Sequence, residues 1–238
     1  MRHNAQPSEA QRAARVKEIL SKVRHFAELP VTVQEAIASA AAPRRFEADE
    51  VIFLEGEPAD VLYILETGWV KATRMSPEGR EQALWFLEAG EVFGDVALLT
   101  DAPSPGTVVA LEAVDAWAIE KSAFLHLIHK YPQMAMAVIR RLGDRVLYFI
   151  GLVEDLSLRS VEARVAKTLL KHALVSGDRL VVPRRTWTTF DEMATRLGTV
   201  RDVLSRALKT LEEEQLLHVE RHEIVILDPA GLAARGES

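Results

Sequence analysis

Residues 189–211, TFDEMATRLGTVRDVLSRALKTL, combine cationic and hydroxyl side chains at helical spacing. Thr189 and Glu192 have the spacing of a capping box, in which side chains and backbone N–H groups satisfy each other at a helix start. Gly198 can adopt the left-handed conformation that ends a helix, and Thr199 is predicted to cap a second one. The segment therefore predicts two short helices joined by a tight turn.

The second predicted helix has an apolar side and a polar side, because residues advance about 100° each around a helix. The apolar side carries Val200, Leu204, Ala207, Leu208 and Leu211. The polar side carries Asp202, Ser205, Arg206 and Lys209, with Arg201 at its edge. Two short helices around a glycine turn are typical of the DNA-binding helix-turn-helix, whose second helix enters the major groove. An ordinary helical hairpin with a solvated polar face is the alternative interpretation.

The segment that follows favours the DNA-binding interpretation. Residues 218–227 alternate around a polar centre, which predicts a small β-hairpin with Arg221 and His222 near its tip. A helix-turn-helix followed by a basic-tipped hairpin is a winged helix. We expect its wing to lie beside a neighbouring phosphate backbone.

Charge is divided unevenly along the 238 residues, whose net charge is −6. Residues 157–227 contain 12 Lys and Arg against 10 Asp and Glu, a balance of +2, whereas residues 1–156 contain 16 against 23, a balance of −7. The negative charge therefore lies mainly outside the predicted DNA-binding part. Binding must depend on local placement of cations rather than on a strongly basic domain.

Composition excludes several classes of site. The chain has no cysteine, which excludes disulfides, cysteine nucleophiles and thiolate-held iron–sulfur clusters. It has no apolar run near the ~18 residues of a membrane span and no signal peptide, so we expect a cytoplasmic protein without a membrane partner. We find no metal-ligand cluster, nucleophile–base pattern, P-loop or dinucleotide fingerprint, and therefore expect no enzyme.

The remaining elements form two groups before the helix-turn-helix. Residues 8–26 and about 33–41 predict helices, and residues 43–120 predict short strands separated by turns, as in an all-β sandwich or barrel. Residues 161–175 predict another helix, and residues 179–185 a strand or turn.

A long helix is predicted from Tyr131-Pro132 to about residue 156. Its apolar residues alternate spacings of four and three, as in a coiled-coil seam: Ala135, Ile139, Leu142, Val146, Phe149, Val153 and Leu156. The pattern predicts a dimer helix. A helix packed only on its own β domain is the alternative, and Leu147, Ile150 and Leu152 lie off the seam, where they would supply that second contact.

In this order of elements, the chain resembles the Crp/Fnr family of bacterial transcription regulators from about residue 26 to residue 227. The resemblance rests on EGEPAD (55–60), YILETG (63–68), GEVFGD (90–95), RRL (140–142) and RDVLSR (201–206). It implies an α+β fold with a cyclic-nucleotide-binding-like β-roll at residues 1–130, a dimerisation helix at 131–156 and a winged helix-turn-helix domain at 157–238. It also implies a homodimer that binds an inverted repeat of double-stranded DNA, with RNA polymerase as a further partner.

The family's recognition motif falls on Arg201, Asp202, Ser205 and Arg206. The resemblance implies that the terminal arginine contacts guanine and the acidic residue cytosine, which fits the hydrogen-bonding groups of the major groove. Asp202 replaces the usual glutamate, so we expect the preferred half-site to differ. Further DNA contacts are expected from Thr189, Thr199, Lys209 and Arg221.

The family's cyclic-nucleotide pocket is only partly represented. Its Gly-Glu pair falls on Gly94-Asp95, followed by Val96, and its Arg-Ser pair falls within residues 102–107, which contain Ser104 and Thr107 but no arginine. Arg145 of the long helix is the alternative source of a guanidinium for a phosphodiester. We therefore expect a ligand other than cAMP, and the barrel then binds another small effector or none.

Two alternative functions remain. A haem-based gas sensor of the Dnr-like branch would need an axial ligand, for which His126 and His129 are candidates because they lie three residues apart on one helix face. Both are otherwise surface residues. A β-roll module with vestigial DNA binding would leave residues 189–227 unexplained. In the favoured hypothesis, a signal in the barrel changes the packing of the two long helices, and a hinge near residues 157–160 transmits that change to the DNA-binding domains.

Overall fold

The computed structural model describes residues 9–79, 81–185 and 188–237. Contacts divide the chain into two compact units, the first comprising residues 1–74 and 84–146, the second residues 75–83 and 147–238. Within the described residues, no helix combines the length and the apolar character needed to cross a membrane.

The first unit holds the predicted β domain with helices before and after it. Its elements are α1 (Glu9–Leu20), α2 (Val31–Ala40), β1 (Ala42–Phe46), β2 (Val51–Phe53), β3 (Val61–Thr67), β4 (Val70–Met75), β5 (Glu81–Leu87), β6 (Val92–Phe93), α3 (Asp95–Thr100), β7 (Thr107–Ala110), β8 (Val114–Glu120), α4 (Lys121–Lys130) and α5 (Pro132–Leu158), of which β4, β5 and α5 continue into the second unit. The strands form two antiparallel sheets, ordered β1-β8-β3-β6 and β2-β7-β4-β5. The predicted β domain is confirmed as a β-roll.

The helix predicted over residues 8–26 is shorter in the structure. It ends at Leu20, and turns stabilised by backbone hydrogen bonds, such as Phe26 N to Val23 O at 3.0 Å, continue to residue 29. Residue 8 lies outside the described residues. Val23 and Phe26 are nevertheless buried with the apolar face of α1, because the turns keep them against Trp117 and the rest of that core.

The second unit holds the predicted winged helix. Beyond α5 it comprises α6 (Val161–Lys171), β9 (Leu174–Ser176), β10 (Arg179–Pro183), α7 (Phe190–Arg196), α8 (Arg201–Glu213), β11 (Leu217–Val219), β12 (Glu223–Ile226) and α9 (Pro229–Gly236). The four strands form one antiparallel sheet, ordered β11-β12-β10-β9. Apolar residues of α6, α7, α8 and β12 form its core.

The helix predicted over residues 161–175 ends four residues early. Its N-terminus is capped by Ser160, whose Oγ accepts from Ala163 N at 3.1 Å. Leu174 and Val175 lie in β9, because Gly177 adopts a left-handed φ of +61° and turns the chain back into β10. Turn chemistry at one glycine therefore overrides the helical tendency of the preceding residues.

The long helix α5 has two apolar faces. Met134, Ala137 and Val138 are buried, and Leu142 packs against the same core of the β-roll domain. Leu147 and Ile150, which were expected to supply that contact, are instead exposed. The prediction for these two residues is wrong, because the residues that pack on the β-roll domain come from the N-terminal half of α5.

Candidate DNA-recognition surface and effector site

The predicted helix-turn-helix is present at α7 and α8. Thr189 Oγ1 accepts a hydrogen bond from Glu192 N at 3.1 Å, which caps α7 as the sequence predicts. Gly198 has a φ of +63°, and the Thr199 amide donates to Ala194 O at 2.9 Å, which closes the end of α7. Thr199 thus belongs to the turn. The N-cap of α8 is Val200, whose side chain cannot cap, so the predicted capping role of Thr199 is wrong.

The two sides of α8 are separated as predicted, with one exception. Leu204, Ala207, Leu208 and Leu211 are buried in the core of the second unit. The predicted polar residues are all exposed: Arg201, Asp202, Ser205, Arg206 and Lys209. Val200, predicted to be apolar core, is 55% exposed because it precedes the first helical turn. The four buried residues fix the rotation of α8 about its axis. They therefore fix which polar side chains point away from the core.

Local contacts hold the cations of this face in place. Arg201 Nη1 donates to Asp191 Oδ2 of α7 at 3.2 Å, and Arg206 Nε donates to Asp202 O at 3.3 Å. Lys209 Nζ lies 3.5 Å from Glu213 Oε1. All three contacts are exposed, and the two ion pairs among them, Arg201–Asp191 and Lys209–Glu213, are of a weak kind in which a nucleic acid can replace the carboxylate.

The predicted wing is formed by β11 and β12. Arg221 and His222 are exposed at its tip. Sequence reasoning missed Arg184, whose guanidinium lies 4.8 Å from the Phe190 ring and whose amide donates to His222 O at 2.8 Å. Arg184 therefore connects the wing to the first residue of α7. The sequence did not indicate this role, because Arg184 directly follows β10 and belongs to no motif.

Gly94 and Asp95 lie at the junction of β6 and α3. Gly94 has a φ of +92°, and a Cβ there would lie 2.4 Å from Val61 O, so only glycine fits. This turn starts α3 at Asp95, whose side chain is 2% exposed. A carboxylate buried to this degree requires charged partners.

Two arginines of α5 are those partners. Arg145 Nη1 donates to Asp95 Oδ1 at 2.8 Å, and Arg141 Nη2 donates to Asp95 Oδ2 at 3.1 Å. Both guanidinium groups also donate to Val92 O, at 3.3 and 2.7 Å. Arg145 was a predicted site residue, whereas Arg141 was missed, although it precedes Arg145 by one helical turn. The structure brings a carboxylate and two guanidinium groups into one buried cluster.

The electrostatics of the cluster follow from burial and charge together. Burial alone would raise the pKa of Asp95, but Arg145 and Arg141 hold that pKa below its usual range. Burial lowers the pKa of Arg141 despite Asp95, yet a guanidinium remains charged at neutral pH. Burial also raises the pKa of the nearby Glu91, which accepts a hydrogen bond from Trp85. The Arg145 guanidinium lies 5.3 Å from the Trp85 ring centroid, a cation–π contact.

The other predicted pocket residues serve the local backbone. Ser104 Oγ donates to Gly106 O at 2.7 Å, and Thr107 Oγ1 accepts from Glu55 N at 3.2 Å. Val96 O accepts from Thr100 Oγ1 at 2.7 Å within α3. The contacts of Ser104 and Thr107 order the loop beside Glu55.

Comparisons with known proteins identify both parts of the chain. Residues 43–131 match the family described as "Cyclic nucleotide-binding domain", and residues 163–235 match "Crp-like helix-turn-helix domain". The chain is 28% identical to the CRP-like cAMP-activated global transcriptional regulator of Mycobacterium tuberculosis, covering 92% of this chain and 98% of that protein. It is 26% identical to the global nitrogen regulator of Synechococcus elongatus, covering 79% and 87%. The chain belongs to the Crp/Fnr family.

A solved structure shares the fold. The c-di-GMP responsive global regulator CLP of Xanthomonas campestris matches with a TM-score of 0.72 at 22% identity, covering 83% of this chain and 99% of that one. Members of the Crp/Fnr family are transcriptional regulators rather than enzymes, so the chain is a transcription regulator with a DNA-binding helix-turn-helix.

The two histidines considered as haem ligands do not converge on the arginine cluster. His126 and His129 both lie exposed on α4, and His129 Nδ1 hydrogen-bonds to Leu125 O of the same helix at 2.7 Å. Among the described residues, no group of three or more His, Cys, Asp or Glu side chains has an arrangement that would hold a metal ion. The buried acid–arginine cluster and these two exposed histidines are therefore separate features of the chain.

Proposed function

We propose that the protein is a homodimeric, sequence-specific regulator that binds an inverted DNA repeat and responds to a signal other than cAMP. The observation that carries the DNA-binding part is α8, whose exposed face presents Arg201, Asp202, Ser205 and Arg206 opposite an apolar face with four buried residues. Arg206 is proposed to contact guanine O6 and N7, and Asp202 to accept from cytosine N4. Thr189, Thr199, Lys209 and Arg221 are proposed to contact the flanking backbone.

Dimerisation is proposed to use the exposed apolar face of α5. Ile139, Val146 and Val153 are 57%, 58% and 63% exposed. An exposed apolar stripe of this kind marks a protein–protein interaction surface. Leu142 and Phe149 are half-buried, and Leu142 packs on the β-roll core. We therefore refine the seam by one residue, to Gly143 and Ile150, and keep Leu156 at its end. The spacing alternates between four and three from Ile139 to Val153, and the last step, from Val153 to Leu156, is three.

The proposal of a signal other than cAMP rests on Asp95. Both of its carboxylate oxygens already accept hydrogen bonds from Arg145 and Arg141. The acidic residue at the position of the family's ribose site is therefore already paired with side chains of this chain. The loop at residues 102–107 has no arginine for a phosphate. Relatives described as cAMP-activated, c-di-GMP responsive or nitrogen regulators indicate that the fold accommodates different signals.

Transmission is proposed to follow the sequence order of the three parts, residues 1–130, 131–156 and 157–238. A signal near Asp95 acts on Arg141 and Arg145, which belong to the same helix as the seam. A change in seam packing then alters the spacing of the two recognition helices. RNA polymerase is the proposed further partner, and the compartment is the cytoplasm, where bacterial DNA lies.

The experiment begins with selection of a binding site from random DNA, followed by mobility shifts over a salt series. We expect an inverted repeat, a salt-sensitive affinity and a clear preference over unrelated DNA. A Val146→Glu substitution should convert the dimer to a monomer in light scattering and weaken operator binding. Val175→Glu is the matched control, because Val175 is an exposed valine of β9 outside α5. A Val146→Glu dimer that binds normally would refute the seam.

The effector part is tested by calorimetry with cAMP. We expect no saturable heat and no change in DNA affinity. Tight binding of cAMP that alters DNA affinity would contradict the proposed signal while leaving the DNA-binding part intact.

A further inference from the structure

A cleft of about 260 Å³ lies within the second unit, between the C-terminal half of α5, the helix α6 and the end of α7. It is outside the β-roll and outside the exposed face of α8. Its volume is below the usual range of drug-sized pockets, so it suits a small molecule. Its lining combines an apolar floor with a cationic rim.

The apolar part of the lining comes mainly from leucine side chains. Leu147, Leu152 and Leu156 of α5 lie on one wall, and Leu197 lies at the end of α7. Tyr148 adds an aromatic ring, and Gly151 leaves space between them. This surface accommodates a hydrocarbon or aromatic body.

The charged part of the lining is strongly unbalanced. Among the described lining residues, four cations stand against one carboxylate: Arg164, Lys167, Lys171 and Arg196 against Asp155. Lys167 Nζ lies 2.6 Å from Asp155 Oδ1, so that carboxylate is already engaged. Arg164 donates to Leu197 O. Lys171 lies 6.0 Å from the Tyr148 ring centroid, at the boundary between the cationic and apolar parts.

His172 fixes the direction of one of these cations. Its Nδ1 donates to Thr168 O at 2.8 Å, which leaves Nε2 to accept from Arg196 Nη2 at 2.7 Å. Burial, and then the positive charges of Arg196 and Lys171, lower the pKa of His172, so the imidazole is neutral at pH 7. Arg196 and Lys171 therefore both lie close enough to His172 to act on its imidazole.

We propose that this cleft binds a small amphipathic anion, with a carboxylate or phosphate head held by Lys171 and Arg196 and a short apolar body on the leucine floor. Guanidinium and ammonium groups form charge-assisted hydrogen bonds with such heads, and burial of the body adds a hydrophobic contribution. The site is separate from Asp95, because none of its lining residues belongs to the β-roll.

The test uses the full chain and 2-naphthoate as the probe, with binding followed by its fluorescence and by calorimetry. We expect saturable binding to a single site. The neutral analogue 2-naphthalenemethanol should bind at least about tenfold more weakly, since it lacks the charged head. Inorganic phosphate tests the head alone and should compete only weakly. No saturable binding of naphthoate, or equal binding of the neutral analogue, would overturn the proposal.

Two variants probe the two parts of the cleft. Lys171→Gln removes a cation and should weaken naphthoate binding at least about tenfold. Gly151→Leu should block the floor of the cleft, and a Cβ added at Gly151 meets nothing within 4 Å. It also replaces glycine by a better helix former, so folding is preserved.

Lys130→Gln is the matched control, because Lys130 lies 5.3 Å from the Tyr131 ring in a comparable lysine–tyrosine contact on α4. It should leave binding unchanged. Equal losses in Lys171→Gln and Lys130→Gln would show diffuse electrostatic attraction and overturn the site, as would unchanged binding in both cleft variants.

Discussion

Acid–arginine pairs occur in both units of the molecule, but their burial differs sharply. In the second unit, the Arg201 and Asp191 side chains are 61% and 66% exposed and lie 3.2 Å apart. In the first unit, Asp95 is 2% exposed, and its partners Arg141 and Arg145 are 15% and 16% exposed. Water screens the first pair, so DNA can displace Asp191, whereas separating the second would leave unpaired charge in the protein interior. The same chemistry thus gives an exchangeable contact on α8 and a fixed structural contact on α5.

The largest expected effect comes from breaking the buried cluster. Asp95→Ala should lower the free energy of unfolding by about 3–5 kcal/mol, because it leaves two guanidinium groups without their carboxylate. Asp191→Ala should change it by less than ~1 kcal/mol, because the pair is exposed. Denaturant titration of both variants measures the difference. Equal losses of unfolding free energy in the two variants would contradict the difference between the buried and the exposed pair.

The next effect concerns DNA recognition. Arg206→Ala should weaken operator binding by about 1–3 kcal/mol and relax specificity at one base pair, with unchanged stability. Quantitative mobility shifts with single-base operator variants measure both quantities. Arg45→Ala, a substitution of an exposed arginine on β1, is the control and should bind as the wild type does. Arg206→Ala with full affinity and full specificity would refute the assigned contact.

Acid should affect the buried pair through linkage. The pKa of Asp95 is lowered in the folded state, so its stabilising contribution is complete above the unfolded value of about 3.9 and is lost as pH falls through the lower folded value. Each unit of pKa difference corresponds to about 1.4 kcal/mol. Unfolding measured from pH 7 to pH 3 should show the stability gap between wild type and Asp95→Asn narrowing at the acid end. A constant gap would contradict the assigned protonation state.

The smallest expected effect concerns the length of the acidic side chain at residue 202. Asp202→Glu should leave overall stability unchanged and move the overall DNA affinity by less than ~1 kcal/mol, since both side chains are exposed. It should instead change the preferred base opposite this position, because the longer carboxylate reaches a different depth in the groove. Site selection with both proteins makes the comparison. Identical selected sites would show that residue 202 does not determine the half-site.

The exposed face of α8 was predictable from sequence because it depends on residues that are close together along the chain. The buried and exposed faces of α8 follow from spacing within one helix, and the capping by Thr189 follows from a residue three positions away. The failures there, at Val200 and Thr199, are confined to the helix boundary. Boundaries depend on backbone geometry that side-chain spacing does not specify.

The buried site was only partly predictable because its partners are distant in sequence. Gly94 and Asp95 were identified by position, but the contact between Arg141 and Asp95 spans 46 residues and has no local pattern. Likewise, β9 depends on pairing with β10, so apolar residues after α6 were assigned to a helix. The division of α5 between two apolar faces required the packing of Leu142 on the β-roll core.

The contact between Arg145 and Trp85 has an optical consequence. Indole fluorescence is sensitive to nearby charge, and the Arg145 guanidinium lies 5.3 Å from the Trp85 ring. Any event that draws Arg145 away from Asp95 also changes the field at that indole. The protein therefore carries its own emission probe beside the Asp95 cluster, and Trp85→Phe identifies its signal among the four tryptophans.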